Sequence, residues 1–519
     1  MSETGSAGAG RRAEDAPAII GVDVGTSSIK AVAFDQVGRK LAAASRPTPL
    51  TRMPTGGEYN PDTIFETAVS ALAEVAAGLR GRPVAGIAAT SVGESCVLID
   101  AEGRAVAPSI AWYDRRTTQD AAAIAGAVGN DRVFAITGVG VEFSFTLVKL
   151  MWMRRAWPEA FARAERVMLM ADWIAYRMSG VAATDPTLAA RTQYYDIGAN
   201  AWSEEMLAFA GKGADFPAPI HLGGTALGAV KDDVLAETGL AGRPIVGVGG
   251  HDHIVGAMAC GFDRPGTLVD SMGTAEPLLL GSKRPVMDWA VMRRGYLQAP
   301  IRPGQLYWIG GSVFTSGGAV EWIRALTGGA DQATLIAEAS AIPPGSEGVV
   351  FVPHVGNGGS PPDADLNARG TFLGLTLGVS RAVLYRAVLE GLAFQSRLIL
   401  DDMAGFPGVT PPAGSPRLIG GGSRNPLFVQ IKANAFGRPV TVVDEAESTA
   451  LGAAMLGGVA AGLFPDIEAA VAGLERSDRM VSPEPDVVER YEALRNTVFE
   501  QAGGTLRPLE TALAAWRGD

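Results

Sequence analysis

PIVGVGGHDHIVGAMACGFDRPGTLVDSMGTAEPLLL, residues 244–280, is the stretch from which the rest of the chain can be read. Ile245, Val246 and Val248 make a short apolar run that ends in Gly249 and Gly250, so His251, Asp252 and His253 emerge at the end of a buried strand. A carboxylate placed there can be held rigidly beside a cleft. Residues 254–262 read as a helical or loop excursion. A strand restarts at Gly266-Thr267-Leu268-Val269, and Ser271-Met272-Gly273-Thr274 breaks it in a small, glycine-containing turn. Such a turn exposes backbone N–H groups, which suits phosphate oxygens.

A second turn of the same kind lies near the N-terminus, where Ile19-Ile20-Gly21-Val22 runs into Asp23-Val24-Gly25-Thr26-Ser27-Ser28. Both Gly-Thr pairs are flanked by β-type sequence, 29–34 after the first and 275–280 after the second. The pattern predicts one architectural unit used twice. Asp23 has two readings, a surface turn residue or a metal-facing carboxylate beside a phosphate turn, and its own segment favours the turn.

The 519 residues exceed what one hydrophobic core serves, and the duplicated turn favours two large domains. Apolar residues make up 47% and charged residues 19%, with no apolar run of membrane-spanning length, which predicts a soluble globular protein with no membrane partner. A net charge of −11 argues against a general nucleic-acid surface while leaving room for a pocket that binds a polyphosphate through backbone amides and a metal. The two cysteines, Cys96 and Cys260, imply no disulfide framework. Residues 1–17 lack the apolar core of a signal peptide and read as a flexible leader, so the expected location is cytoplasmic.

Moving outward, Asn60-Pro61 reads as a helix cap followed by apolar residues at helical spacing through Leu79. Residues 84–88 read as a buried strand leading to Thr90-Ser91-Val92-Gly93-Glu94-Ser95. Glu94 is either a substrate contact or a solvated loop acid. Trp112-Tyr113-Asp114-Arg115-Arg116 suits a surface ion pair or a polar substrate wall equally well. Residues 310–318 are glycine-rich and open a helix, so Gly317 stands where an anion or a closely packed neighbour fits. Leu418-Ile419 runs into Gly420-Gly421-Gly422 and an Asn425-Pro426 helix start, either a nucleotide or sugar site or a tight packing turn.

Several motifs are missing. The chain holds no G-x-x-x-x-G-K-[ST] loop and no Gly-x-Ser-x-Gly elbow, and Gly247-Val248-Gly249-Gly250-His251-Asp252 fails the dinucleotide fingerprint at its last position. His251 and His253 flank Asp252 at metal-ligand spacing, but further zinc ligands cannot be nominated.

Taken together, these residues resemble the FGGY carbohydrate kinases, the group that includes glycerol kinase and xylulokinase, within the actin-like ATPase superfamily. The resemblance spans residues 18–505. It rests on Asp23-x-Gly25-Thr26-Ser27-x-x-Lys30, Gly250-x-Asp252, Gly273-Thr274, Arg369-Gly370 with 386–391, and Gly420-Gly421-Gly422 with 451–454. It implies an α/β fold of two actin-like, ribonuclease-H-like domains with a central cleft. Residues 18–256 would form a sugar-binding domain and 257–505 an ATP-binding one, followed by a tail, 506–519. By the same resemblance Asp252 is the catalytic base and Asp23 the Mg²⁺ carboxylate. Thr26, Ser27, Gly273, Thr274 and Gly317 are expected to meet ATP phosphates, and Gly421, Gly422 and Asn425 the adenosine. Glu94, Asp114, Phe143 and His253 form the expected substrate side.

The pattern departs from xylulokinase at Val92-Gly93-Glu94, where a Gln-Met-His run is usual, and from glycerol kinase at Gly93, where an arginine is usual. Val383 replaces a polar residue at a position taken as structural. The expected activity is ATP-dependent phosphorylation of a primary hydroxyl of a ketose or polyol, with a pentulose foremost and a homodimer as a further expectation. Two alternatives stand beside it: an actin- or chaperone-like ATPase acting on a protein partner, and a non-catalytic sugar-binding regulator.

Overall fold

The computed structural model describes residues 16–356 and 358–517; the expected leader lies outside these through residue 15. The chain forms two compact units. The first comprises the residues up to Gly129, Val141–Gly261 and Glu447–Glu475, and the second Asn130–Gly140, Phe262–Ala446 and the residues from Arg476 onward.

In the first unit β1 (Ala18–Val24), β2 (Ser28–Phe34) and β3 (Lys40–Pro47) form an antiparallel meander. β4 (Val84–Ser91) runs parallel to β1, β6 (Ile245–His251) runs parallel to β4, and β5 (Ala226–Ala229) closes the edge, giving the order β5-β6-β4-β1-β2-β3. Six of the seven residues of β1 are buried, as a strand covered on both faces requires. The expected helix after Asn60 is Pro61–Leu79. Its cap is made by Asn60 Oδ1, which accepts from the Asp62 and Thr63 amides at 3.0 and 3.2 Å.

The helix Ser448–Ala460 packs on this sheet through residues without bulk. A Cβ on Gly21 would stand 1.8 Å from the Ala450 carbonyl oxygen, and one on Gly86 1.9 Å from that of Gly457. Val32, Phe34 and Ala88 join Ala450, Leu451 and Ala454 in one apolar core. The stretch expected as a continuous second domain, 257–505, is therefore interrupted, because 447–475 packs within the first unit. Hydrophobic periodicity identifies such a helix but carries no information about which sheet its small-residue face will meet.

The second unit repeats the plan. β7 (Leu268–Ser271) and β8 (Glu276–Ser282) are antiparallel, β8 pairs with β10 (Leu306–Val313), and β10 with β9 (Leu297–Arg302). β11 (Arg417–Ile419) runs parallel to β7 and β12 (Val440–Val442) parallel to β11, with β13 (Arg479–Val481) at the edge. Its large core is dominated by the 25-residue helix Arg381–Gly405. Residues 506–517, expected as a tail, continue the helix Glu500–Arg517. Among the described residues no helix is long and apolar enough to cross a membrane.

Candidate active-site residues

Three parallel strands of the first unit end side by side. Asp23 on β1 pairs with Thr90 on β4, and Ser91 pairs with His251 at the end of β6. Ligands of open α/β sheets gather outside such carboxyl ends. Side chains fasten the ends together: Thr90 Oγ1 donates to the Gly250 carbonyl at 2.7 Å, and Thr187 Oγ1 accepts from the His251 amide at 2.9 Å. Thr187 is itself fixed by donating to the buried Asp185.

Asp252 follows immediately as the first residue of the helix Asp252–Ala259. Its Oδ1 accepts from the His253 amide at 2.6 Å, and burial raises its pKa above the usual carboxylate range, against the opposing influence of His253. His251 is pushed well below its ordinary value by burial and by Arg191, so its ring stays neutral beside the acid. Asp23 is pushed up to about 7, first by burial and next by Asp252, while Lys30 across the β1–β2 pair pulls it down. Lys30 is fixed in turn by Glu447, at 3.0 Å. The segment-level reading of Asp23 as a plain surface turn residue is replaced by that of a half-buried acid within electrostatic reach of Asp252.

In the turn after β1, the Gly25 amide donates to the Ser28 carbonyl at 3.0 Å and Thr26 Oγ1 accepts from Trp112 Nε1 at 3.1 Å, while Ser27 is exposed. Glu94 is 5% exposed rather than solvated, with φ 51°, a left-handed conformation costing a non-glycine residue about 1–3 kcal/mol. Asp114 has no exposed surface. Its oxygens accept a fork from Arg116 at 3.0 and 2.8 Å and the Gly57 amide at 2.9 Å, the geometry of an internal ion pair rather than of an open wall. Phe143 is half-buried under the Arg115 guanidinium, 5.4 Å from the ring centroid, and His253 is exposed.

The second unit brings its own set together. The Gly317 amide donates to the Gly273 carbonyl at 3.0 Å, and Ser316 and Gly318 donate to that of Thr274 at 2.9 and 3.3 Å. A Cβ on Gly317 would stand 2.7 Å from the Gly273 oxygen, so close packing against the turn is what this glycine permits. The Gly422 amide reaches the Met272 carbonyl at 2.8 Å, which ties the 420–422 turn to the same corner. Gly421 is exposed, with open space where a side chain would stand, as a surface approached by a flat ligand needs. Asn425 is buried and caps the helix Pro426–Phe436 by accepting from the Phe428 amide at 3.2 Å.

Four features went unread in the sequence. Arg191 on Glu94, Lys149 beneath it, and Glu447 on Lys30 are contacts between distant segments. Lys432, fully buried, bonds Asp270 at 2.9 Å, Ser396 at 2.6 Å and Glu276, and Ser316 Oγ donates to Glu276 at 2.6 Å, so this cluster braces the Thr274 turn from behind. A lysine in an otherwise apolar helix face was the one local signal. Among the described residues no group of three or more His, Cys, Asp or Glu side chains is gathered to hold a metal.

Comparison with known proteins also divides the chain in two, although the second match runs on into 447–461, which pack in the first unit. The model of the FGGY family of carbohydrate kinases, N-terminal domain, matches residues 18–259, and that of the C-terminal domain residues 268–461. The chain is 27% identical over 503 residues to a xylulose kinase of Bacillus subtilis, covering 96% of this chain and 99% of that one. It is 32% identical over 469 residues to a glycerol kinase of Gloeobacter violaceus, covering 88% and 90%. The crystal structure of a xylulose kinase from Rhodospirillum rubrum superposes with a TM-score of 0.84 at 27% identity, covering 95% of this chain and all of that one. With both of its sheets laid out in the ribonuclease-H-like order and both family models matched in sequence, the chain belongs to the FGGY family of carbohydrate kinases and is an enzyme of that class, a two-domain, actin-like phosphotransferase with an alcohol group as acceptor.

Proposed function

We propose that the protein transfers the γ-phosphoryl group of ATP to a primary hydroxyl of a small ketose or polyol, with a pentulose as the foremost candidate. The observation that supports this most is Asp252, a shielded acid whose pKa is raised, at the carboxyl end of β6. Phosphoryl transfer asks the protein for positioning and charge neutralisation rather than covalent help. The acceptor oxygen bonds to the γ-phosphorus as the bond to the β–γ bridging oxygen breaks, the hydroxyl proton passes to a carboxylate oxygen of Asp252, and ADP departs. A raised pKa makes Asp252 a stronger base than an ordinary carboxylate.

Thr26 and Ser27 in one turn and Thr274 in the other supply donors for phosphate oxygens, Gly273 and Gly317 keep that second turn close-packed beside them, and Gly421, Gly422 and the Asn425 segment take the adenosine. Asp23 fits a divalent cation, since Mg²⁺ is commonly held by one or two carboxylates together with substrate phosphates, and bound there it would neutralise the phosphate charge. Glu94 and His253 face the acceptor.

Asp252→Asn is the deciding variant. ATP binding measured by calorimetry should stay within about twofold, and sugar-dependent ADP release should fall by roughly 10²- to 10⁴-fold, the usual worth of a general base. Turnover at the wild-type rate would remove Asp252 from this role.

A further inference from the structure

Glu94 is held from two directions. Its carbonyl oxygen accepts from Lys149 Nζ and from Thr146 Oγ1, each at 3.1 Å. Lys149 is wholly buried and makes no ion pair among the described residues; its other bond goes to the Ser144 carbonyl, so its donors serve to fix the backbone at 94 and 144. The carboxylate is held separately. Glu94 Oε1 accepts from Arg191 Nε at 2.6 Å and from Nη2 of the same guanidinium, which lies 5.0 Å from the Phe145 ring centroid.

Arg191 reaches Glu94 across Gly93. A Cβ on residue 93 would stand 2.8 Å from Arg191 Cγ and 3.1 Å from His251 Cδ2, so the glycine leaves the space that the arginine crosses. Both charges act on Asp252, Glu94 raising its pKa and Arg191 lowering it, which places the pair beside the proposed base. Glu94 Oε2 and Arg191 Nη1 have no hydrogen-bond partner among the described residues, leaving one acceptor and one donor adjacent.

We propose that Glu94 and Arg191 form a couplet that reads a vicinal diol of the acceptor, with Arg191 the specificity-determining residue and Lys149 a positioning residue that holds Glu94. An ionised carboxylate only accepts and a guanidinium only donates, whereas a hydroxyl does both. Two neighbouring hydroxyls therefore satisfy the couplet, one donating to Glu94 and the other accepting from Arg191. An acceptor lacking either hydroxyl leaves Glu94 Oε2 or an Arg191 N–H without its hydrogen bond, and an acceptor with a carboxylate beside Glu94 Oε2 meets a like charge. The substrate class is thus an uncharged ketose or polyol with a diol beside the phosphorylated carbon. This inference rests on the proposed kinase reading of the same residues.

The test uses D-xylulose, D-ribulose, xylitol, ribitol and glycerol as acceptors, the deoxy analogue of the best of them, and D-gluconate, with the intact enzyme. Wild type should prefer the diol over its deoxy analogue by roughly 10²-fold or more in kcat/KM, and Arg191→Met should cut that preference below about 10-fold with the ATP KM unchanged. Arg191→Lys, which keeps the charge and loses the fork, should fall between them. Lys149→Met should raise the sugar KM and leave the ATP KM alone. An unchanged preference in Arg191→Met, a wild type that favours D-gluconate, or no turnover with any of the neutral acceptors overturns the couplet. If Arg191→Met does not fold, Arg191→Lys decides by the same ratio. Asp252→Asn run in parallel separates the two levels: its retained turnover sinks the kinase assignment of the base, whereas an intact preference ratio in the Arg191 variants sinks only the diol reading.

Discussion

The two large sheets share a core of three antiparallel strands continued by two parallel ones, and they are held in opposite ways. On the first, the helix Ser448–Ala460 meets β1 and β4 backbone to backbone, because Gly21, Gly86 and Gly457 leave nothing in between. On the second, the helix Pro426–Phe436 carries Lys432 onto Asp270 and Glu276, three charged groups with no exposed surface. Close contact of small residues gains many weak dispersion contacts and tolerates no added atom. A buried ion cluster is costly to desolvate and holds only while every partner is present. A duplicated topology therefore does not imply duplicated energetics. The polar device stands behind the turn proposed to bear phosphates, where Ser316 links Glu276 to Thr274, and the apolar one stands behind the acids.

Removing Lys432 should break this contrast most forcefully. Lys432→Met leaves Asp270 and Glu276 as buried charges without their cation, and thermal or denaturant unfolding should show a loss of about 3–5 kcal/mol. Adding Asp270→Asn and Glu276→Gln should recover part of it. A loss near zero for the single variant would mean the cluster is incidental to this sheet. A methyl group suffices on the other side: Gly86→Ala forces the Gly457 segment outward and should cost roughly 1–3 kcal/mol in denaturant midpoint. Wild-type stability in that variant would refute the close-approach account.

The smallest effect is electrostatic and concerns the acids of the first unit. Asp23, with its pKa near 7, is increasingly neutral as the pH drops through that value, so a role for its charge predicts an acid limb of kcat/KM above the ordinary carboxylate range. Lys30 holds that pKa down. Lys30→Gln should therefore move the limb to higher pH, and a limb that stays put or moves to lower pH would exclude Asp23 from the pH dependence.

Much of the plan was legible. The paired Gly-Thr turns, the strand that delivers Asp252, the Asn60 and Asn425 caps and the glycine run at 420–422 are local patterns, set by backbone sterics and apolar spacing within a few residues of each other. Asp114 shows the limit, since its neighbouring Arg115 and Arg116 left ion pair and substrate wall equally open until Arg116 closed its fork on it. The sequence by itself determined the duplicated α/β units, the family and the acids at the strand ends, because these depend on the order of residues along the chain. Only the tertiary structure decided that 447–475 packs with the first unit, that Arg191 crosses Gly93 to reach Glu94, and that Lys432 answers two acids far from it in sequence. Those pairings are selected by burial and shape between segments more than a hundred residues apart in most cases, and periodicity along one segment says nothing about which distant segment will satisfy its charges.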